Sequence, residues 1–229
     1  NVRKIEGADG ISKIQVRVDQ GAFQGILQLN LDGRPDGKRP YDTDYVLQHY
    51  EAQQSLQGSA DEFRLDVDAC RELFDESARI YGRYVFLLQI KEYERVVADT
   101  ERNMRLFEFV HRYAEQSEDR NKLQRWWPYI LRIHATARAM LASNEDDFDQ
   151  ALRILAETRQ QIESLSDVEV EEFFTERERS LEALDELVGE LTDQRPLSKR
   201  EQLEQDLEEA IANEEFERAA QLRDRLREI

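Results

Sequence analysis

Three features of this 229-residue chain predict a mainly α-helical fold: a short N-terminal antiparallel β-hairpin, an array of antiparallel helical hairpins, and one closing helical hairpin. The first is composition. Charged residues make up 36% and apolar residues 40%, with only 9 Gly and 4 Pro, a balance that suits helices laced with surface ion pairs. The second is periodicity, since apolar residues alternate at period two early in the chain and recur every three to four residues after it. The third is punctuation: Gly and Pro cluster at 33–40, and Pro196 interrupts a helical pattern. These features divide the chain into segments 1–41, 42–194 and 195–229.

In the first segment, "SKIQVRVDQGAFQGILQLNLDG" places Ile14, Val16 and Val18, then Phe23, Leu27, Leu29 and Leu31, at alternating positions around a turn at "DQG". That pattern reads as two antiparallel strands. A two-stranded ribbon is marginal in water, so it must pack on the helices or pair with another chain. The loop "DGRPDGKRP" follows, and its Arg34, Lys38 and Arg39 form a basic knot in an acidic protein. They are candidates for holding an anion or an acidic partner, against the alternative that they pair with this chain's own acidic helices. "GRPDGK" is one residue short of a phosphate loop and is followed by Arg39 instead of Ser or Thr, so it does not predict a nucleotide site.

The second segment reads as helix throughout. Thr43 is the expected N-cap of "TDYVLQHYEAQQSL". In the helix after it, Leu65, Cys70, Leu73, Phe74, Ile80, Tyr84 and Leu88 fall near helical spacing. "EYERVVADTERNMRLFEFVHRYAEQ", "PYILRIHATARAMLAS", "DDFDQALRILAETRQQIESL" and "VEVEEFFTERERSLEALDELVGEL" continue the series, with Pro128 suited to a first helical turn. Short polar links between them predict helical hairpins. Tyr93, Phe148 and Phe216 begin three similar stretches, each followed by an acid, a polar residue and two small or aliphatic ones. The aromatic is expected to plug the gap where one helix begins, while the small residues let the partner helix approach. This array resembles tetratricopeptide-type helical hairpins, although copies 55 and then 68 residues apart depart from that family's period of about 34 residues. The resemblance implies a concave face that binds a partner.

In the third segment Ser198 is the expected cap of a new helix, with Glu201 completing a capping box. Leu203, Leu207 and Ile211 make one stripe, and Ala219, Leu222, Leu226 and Ile229 make the stripe of a second helix that starts at Phe216. Ala219 and Ala220 allow close packing, and Phe216 is expected to be buried. A unit of about 30 residues is too small for a core of several kcal/mol, so its apolar face needs a further partner.

The stretch "LEQDLEEAIANEEFERAAQLRDRLREI" resembles the UVR motif, the C-terminal hairpin of bacterial excision-repair subunits B and C, on Leu203, Leu207, Ala210, Phe216, Glu217, Ala219, Ala220, Leu222, Arg223, Asp224 and Ile229. The hairpin also occurs in the activator of bacterial protein-arginine kinase and in some Clp-type chaperone ATPases. The resemblance covers about one-seventh of the chain and implies a protein–protein contact with a like hairpin or a partner enzyme. The chain lacks the phosphate loop of the helicase-like repair subunit and shows no nuclease signature of the incision subunit. Its single cysteine cannot build the paired-cysteine zinc sites of the kinase activator. The layout of strands, helical array and tail is more similar to uncharacterised bacterial proteins named only for their UVR motif.

No residue pattern predicts chemistry, and no catalytic, cofactor or metal residues are assigned. Glu108 and His111 stand three apart, but no second such pair exists, and neither His49 nor His134 has a glutamate three before it. "NEDDFD" (144–149) lacks the calcium loop's central glycine and terminal glutamate and reads as an inter-helix turn with N-caps. Of Trp126 and Trp127, one is expected in the core and the other at a rim or binding surface, because neighbours on a helix point about 100° apart. Cys70, the sole cysteine, is expected as a buried thiol in a reducing cytoplasm. No apolar stretch is long enough to span a membrane. Asn1 is not a starting methionine, which leaves a removed upstream segment open.

The net charge of −18 opposes direct contact with nucleic acid, and residues 197–229 carry 6 basic against 10 acidic residues. An ion pair between Glu214 and Arg218 accounts for part of that basic content. The expected function is therefore a non-catalytic adaptor. It binds one protein through the helical array and docks another, one with a like hairpin or a second copy of itself, through Leu203, Leu207, Ile211, Phe216, Ala219, Ala220, Leu222, Arg223, Leu226 and Ile229. The alternative is an accessory factor of nucleotide-excision DNA repair with direct or indirect DNA contact.

Overall fold

A computed structural model describes residues 1–56, 63–197 and 199–227. The chain forms two compact units, Asn1–Gly189 and Glu190–Ile229. The first opens with a three-stranded antiparallel sheet in the order β1 (Val2–Glu6), β2 (Ser12–Gln20), β3 (Phe23–Asn30). The expected hairpin is β2–β3, with Val16 opposite Leu27 and Ile14 opposite Leu29. β1 adds an edge strand that the sequence pattern hides. Its two apolar residues, Val2 and Ile5, lie three apart and so fall on opposite faces of the pleat, which erases the period-two signal. The ribbon packs on helices. Ile14 and Leu31 join a core with Ile80, Tyr84, Leu87 and Val96, whereas Phe23 and Ile26 on β3 are exposed.

Among the described residues of this unit the helices that follow are α1 (Val46–Leu56), α2 (Val67–Gln89), α3 (Tyr93–Tyr113), α4 (Ser117–Lys122), α5 (Trp127–Asn144), α6 (Phe148–Glu163) and α7 (Glu171–Gln194), the last running past the unit boundary. α2 packs on α3, α3 on α5, and α5 on α6. No described helix is long and apolar enough to cross a membrane.

The start of α1 differs from the expectation of a Thr43 cap. Thr43 ends a 3₁₀ turn (Pro40–Asp42), with its hydroxyl placed between the carbonyls of Pro40 and Tyr45. The free amides of Val46 and Leu47 instead donate to the two carboxylate oxygens of Glu76, at 2.8 and 3.1 Å, from within α2. A helix N-terminus attracts negative charge, and here a fully buried glutamate supplies it across the core. In α2, Asp66 provides the N-cap by accepting from the Ala69 amide at 2.8 Å. Leu65 precedes that helix and forms a bridge with Ala114, and Leu87 is fully buried where Leu88 was expected. Pro128 sits in the first turn of α5, as its missing amide hydrogen favours. Cys70 is buried, and burial pushes its thiol up to about 11, so it stays protonated.

The centre of the unit is Arg83 of α2, which is 2% exposed. Its Nε and Nη2 donate to Asp99 of α3 at 2.8 and 2.7 Å. Its Nη1 donates to the carbonyls of Asn30 and Gly33 at 2.9 and 2.7 Å, which fastens the end of the sheet to the helices. Asp99→Ala leaves this guanidinium buried without a counter-ion and is expected to cost about 3–5 kcal/mol. The paired substitution Arg83→Met with Asp99→Leu is expected to recover only part of that loss, because the carbonyls of Asn30 and Gly33 then lose their donor. Urea unfolding followed by the fluorescence of Trp126 and Trp127 measures both.

His134 of α5 supplies a pH probe. Its Nδ1 lies 2.9 Å from Thr100 Oγ1, and burial holds its pKa below the usual imidazole value. The unfolded chain therefore binds more protons as pH falls through about 6.5 towards the lower folded value. Stability is expected to decline with acidification across that window. In His134→Gln the part of the slope due to this residue disappears from denaturation midpoints measured between neutral and mildly acidic pH.

Candidate protein interface on the closing hairpin

The second unit contains the end of α7, then α8 (Lys199–Ala212) and α9 (Phe216–Arg227). The expected capping box at Ser198 and the expected contact of Ile229 lie outside the described residues. A tight turn joins the two helices. Glu214 adopts φ 60°, and the Glu215 amide reaches back to the Ala210 carbonyl at 2.8 Å. That bond closes α8 in the left-handed C-terminal manner and starts α9 one residue later.

The same turn occurs twice in the first unit. Lys91 and Asp146 take φ 61°, and the amides of Glu92 and Asp147 bond to the carbonyls of Leu87 and Ala142 at 3.0 and 2.9 Å. In each case the next residue is the aromatic picked out by sequence self-similarity: Tyr93, Phe148 and Phe216 each open a helix. Three residues on, Val96, Ala151 and Ala219 are buried. The sequence similarity is thus a similarity of turns. "NEDDFD" is one of them, with Asp147 capping α6 by accepting from the Gln150 amide at 2.9 Å.

Between α8 and α9, Ala210, Ala219 and Leu222 are buried, with Leu203 and Leu207 packed partly against them. Two expectations are corrected here. Ile211 is not in the seam and is 55% exposed. A straight helix turns about 100° per residue, so the residue in line with Leu203 and Leu207 is seven on, Ala210, and not eight on. Phe216 is also not buried. Its side chain is 69% exposed, because the first residue of α9 lies at the turn, beyond the reach of the α8 face. Ala220 and Leu226 are half-buried. Arg223 is exposed and pairs with Asp224, and Arg218 pairs with Glu215 at 2.9 Å rather than with Glu214, which occupies the turn. The carboxylate of Glu215 holds the Arg218 pKa above its ordinary value. Ile211 and Phe216 thus flank one turn as two exposed apolar side chains in a charged surrounding.

The decisive comparison concerns this hairpin alone. Residues 198–229 match the UvrB/uvrC motif. The match leaves the first unit outside it. Compared with curated proteins and with solved structures, the chain matches none.

The remaining candidates belong to the first unit. Arg34 is nearly buried and points inward at this chain's own carboxylates, Asp36 at 3.0 Å and Glu76 at 3.5 Å. Arg39 pairs with Asp44, and the Lys38 amide donates to Asp36. The guanidinium groups of Arg34 and Arg39 are thus engaged by this chain's own acids. Glu108 and His111 are exposed on α3, where His111 Nδ1 lies 3.2 Å from the Arg120 carbonyl. Among the described residues no group of three or more His, Cys, Asp or Glu side chains is placed to hold a metal. Trp127 packs against Phe107, while Trp126 is 40% exposed. The buried Glu76 and Arg83 escaped the sequence reading, since nothing in a single helix marks which of its charges turns inward.

Because Leu222 fills the seam and Ile211 does not, Leu222→Ala is expected to cost about 2–3 kcal/mol of hairpin stability, and Ile211→Ser less than about 0.5 kcal/mol. Hydrogen exchange of the amides in α8 and α9 within the full chain separates the two.

Proposed function

We propose that this chain is a non-catalytic adaptor whose UVR hairpin docks on a like hairpin, carried by another protein or by a second copy of the chain. One observation carries this reading: Phe216 and Ile211, within the matched motif, stand exposed beside the turn although each is a large apolar side chain. A seam built mainly from alanines leaves such residues no place inside the hairpin. Aromatic anchors ringed by charge suit a binding surface, and the ion pairs of Arg218 and Arg223 with their own neighbours supply that rim. The acidic character of the chain favours a protein partner over nucleic acid.

A second reading, an accessory factor of DNA repair, draws on the excision-repair subunits for which the matched motif is named. It requires either contact with a repair protein through the hairpin or contact with DNA itself. The two requirements are separable by experiment.

Phe216→Ser in the 229-residue chain is expected to leave the unfolding midpoint of the dilute, unassociated protein unchanged and to abolish self-association or partner capture. Sedimentation at tens of micromolar protein and affinity co-purification provide the measurements. An unchanged set of co-purifying proteins and an unchanged sedimentation coefficient would overturn the adaptor reading. A mobility shift of duplex DNA at about 50 mM salt would favour direct DNA contact instead.

A further inference from the structure

The first unit contains a cavity of about 370 Å³. Its walls are aromatic: Tyr81 and Tyr84 from α2, Phe107 from α3, Trp126 from the turn before α5, and Tyr129 from α5. Tyr81 and Trp126 are 47% and 40% exposed, so the cavity opens to solvent on their side. Such a volume and lining fall within the range of small-molecule sites.

Two polar side chains that line it are incompletely bonded. Asn103 is 1% exposed, and its Nδ2 donates to the Ser77 carbonyl at 3.1 Å. That bond fixes the amide's orientation and leaves its buried Oδ1 without a partner. Glu176 of α7 receives Arg179 on Oε1 at 3.3 Å, while its Oε2 is buried and has no partner. Both orphans are acceptors, and one belongs to a carboxylate. A buried acceptor left unpaired is costly, so a complementary guest must bring hydrogen-bond donors. The rings add a second preference, because their faces attract positive charge. The protein's own cations already use two rings lining this cavity: Lys122 Nζ lies 4.4 Å from the centre of Phe74, and the Arg132 guanidinium 5.1 Å from that of Tyr129.

We propose that this cavity binds a primary ammonium cation on a short apolar stem, with Asn103 Oδ1 and Glu176 Oε2 accepting from the ammonium and the aromatic walls enclosing the stem. A metal ion fits poorly, since the lining offers one carboxylate and otherwise only the neutral oxygens of Asn103, Ser77 and the tyrosines. A neutral apolar guest would leave both acceptors unpaired, and an anion would meet the carboxylate. The ammonium belongs either to a free amine or to a lysine side chain of another protein, and the chemistry of the site is the same for both.

Isothermal titration of the full-length protein with three probes of one shape tests the assignment: phenethylammonium, phenethyl alcohol and hydrocinnamate. The cation is expected to bind at least about tenfold more tightly than the alcohol, and the carboxylate not at all. Glu176→Gln is expected to weaken the cation about tenfold and leave the alcohol unchanged. Alcohol binding as tight as the cation's, or cation binding indifferent to both Glu176→Gln and Trp126→Ala, overturns the proposal. Should the Glu176 variant not fold, the charge series on the unaltered protein still decides. Nα-acetyl-lysine methylamide distinguishes the sources: its binding supports a partner's lysine, and binding of phenethylammonium alone supports a free amine. Failure of both ammonium probes to bind overturns the assignment. None of these outcomes depends on the hairpin or on Phe216.

Discussion

The first unit is organised by two opposite charges buried in one helix. Arg83 and Glu76 both lie on the inward face of α2, and each bonds to backbone that has no regular partner, Arg83 doing so beside its pair with Asp99. Arg83 takes the carbonyls where β3 ends and the Gly–Pro loop begins. Glu76 takes the amides where α1 begins. The loop bonds the carbonyls of Arg34 and Pro35 within itself and to the end of β3, and the Arg83 guanidinium supplies the donor for those of Asn30 and Gly33. Removing either charge would orphan several groups at once, and such networks are tightly specified for that reason. The sheet is placed by this fastening as much as by the apolar contact of Ile14 and Leu31.

The second constraint is local and repeated. A residue at positive φ, a helix-capping position and an aromatic opening the next helix occur together after α2, α5 and α8. Lys91, Asp146 and Glu214 are not glycines, so each turn carries a small conformational cost. The reward is a helix reversal in three residues, closed by a backbone bond of the same register each time. Small or aliphatic side chains three positions on then face the preceding helix. What varies among the copies is the aromatic itself. Tyr93 is buried because the sheet and its neighbours cover it, Phe148 is partly covered, and Phe216 stands in water. The turn fixes where the ring emerges, and the surroundings decide whether it becomes core or surface.

That distinction marks what the sequence could reveal. Period-two alternation located β2 and β3, and helical spacing located α2, α3, α5, α6, α7 and both helices of the UVR hairpin, since those signals depend on residues close along the chain. β1 was silent because its two apolar residues lie on opposite faces. The exposure of Phe216 is hidden for a related reason: a hydrophobic residue at a helix start is consistent with either fate, and only tertiary neighbours choose. The inner stripe of α8 was placed one residue off at its end, at Ile211 instead of Ala210, because alanine carries little hydropathy although it suits a close helix contact. The cap of α1 was assigned to the nearby Thr43, when the acceptor used, Glu76, lies 30 residues away along the chain. The cavity beneath Trp126 was foreshadowed only by the expectation that one of the two tryptophans would sit at a rim.

The hairpin's construction bears on how a surface residue can be both exposed and well defined. Its buried seam contains two alanines and one leucine, with two half-covered leucines beside them, so packing contributes little to holding the tip in place. Backbone bonds do that instead: the Glu215 amide to the Ala210 carbonyl, and the Ala219 amide to the Glu215 carbonyl. These fix the first turn of α9, and with it the direction of Phe216, without enclosing the ring. The exposed ring keeps its own rotamer freedom, so docking orders one side chain at a cost of about 0.5–1.5 kcal/mol while the backbone beneath it is already fixed. A partner that covers Phe216 and Ile211 would add to the UVR hairpin the burial that its alanine seam lacks. Binding and hairpin stability would then be linked, each strengthened by the other.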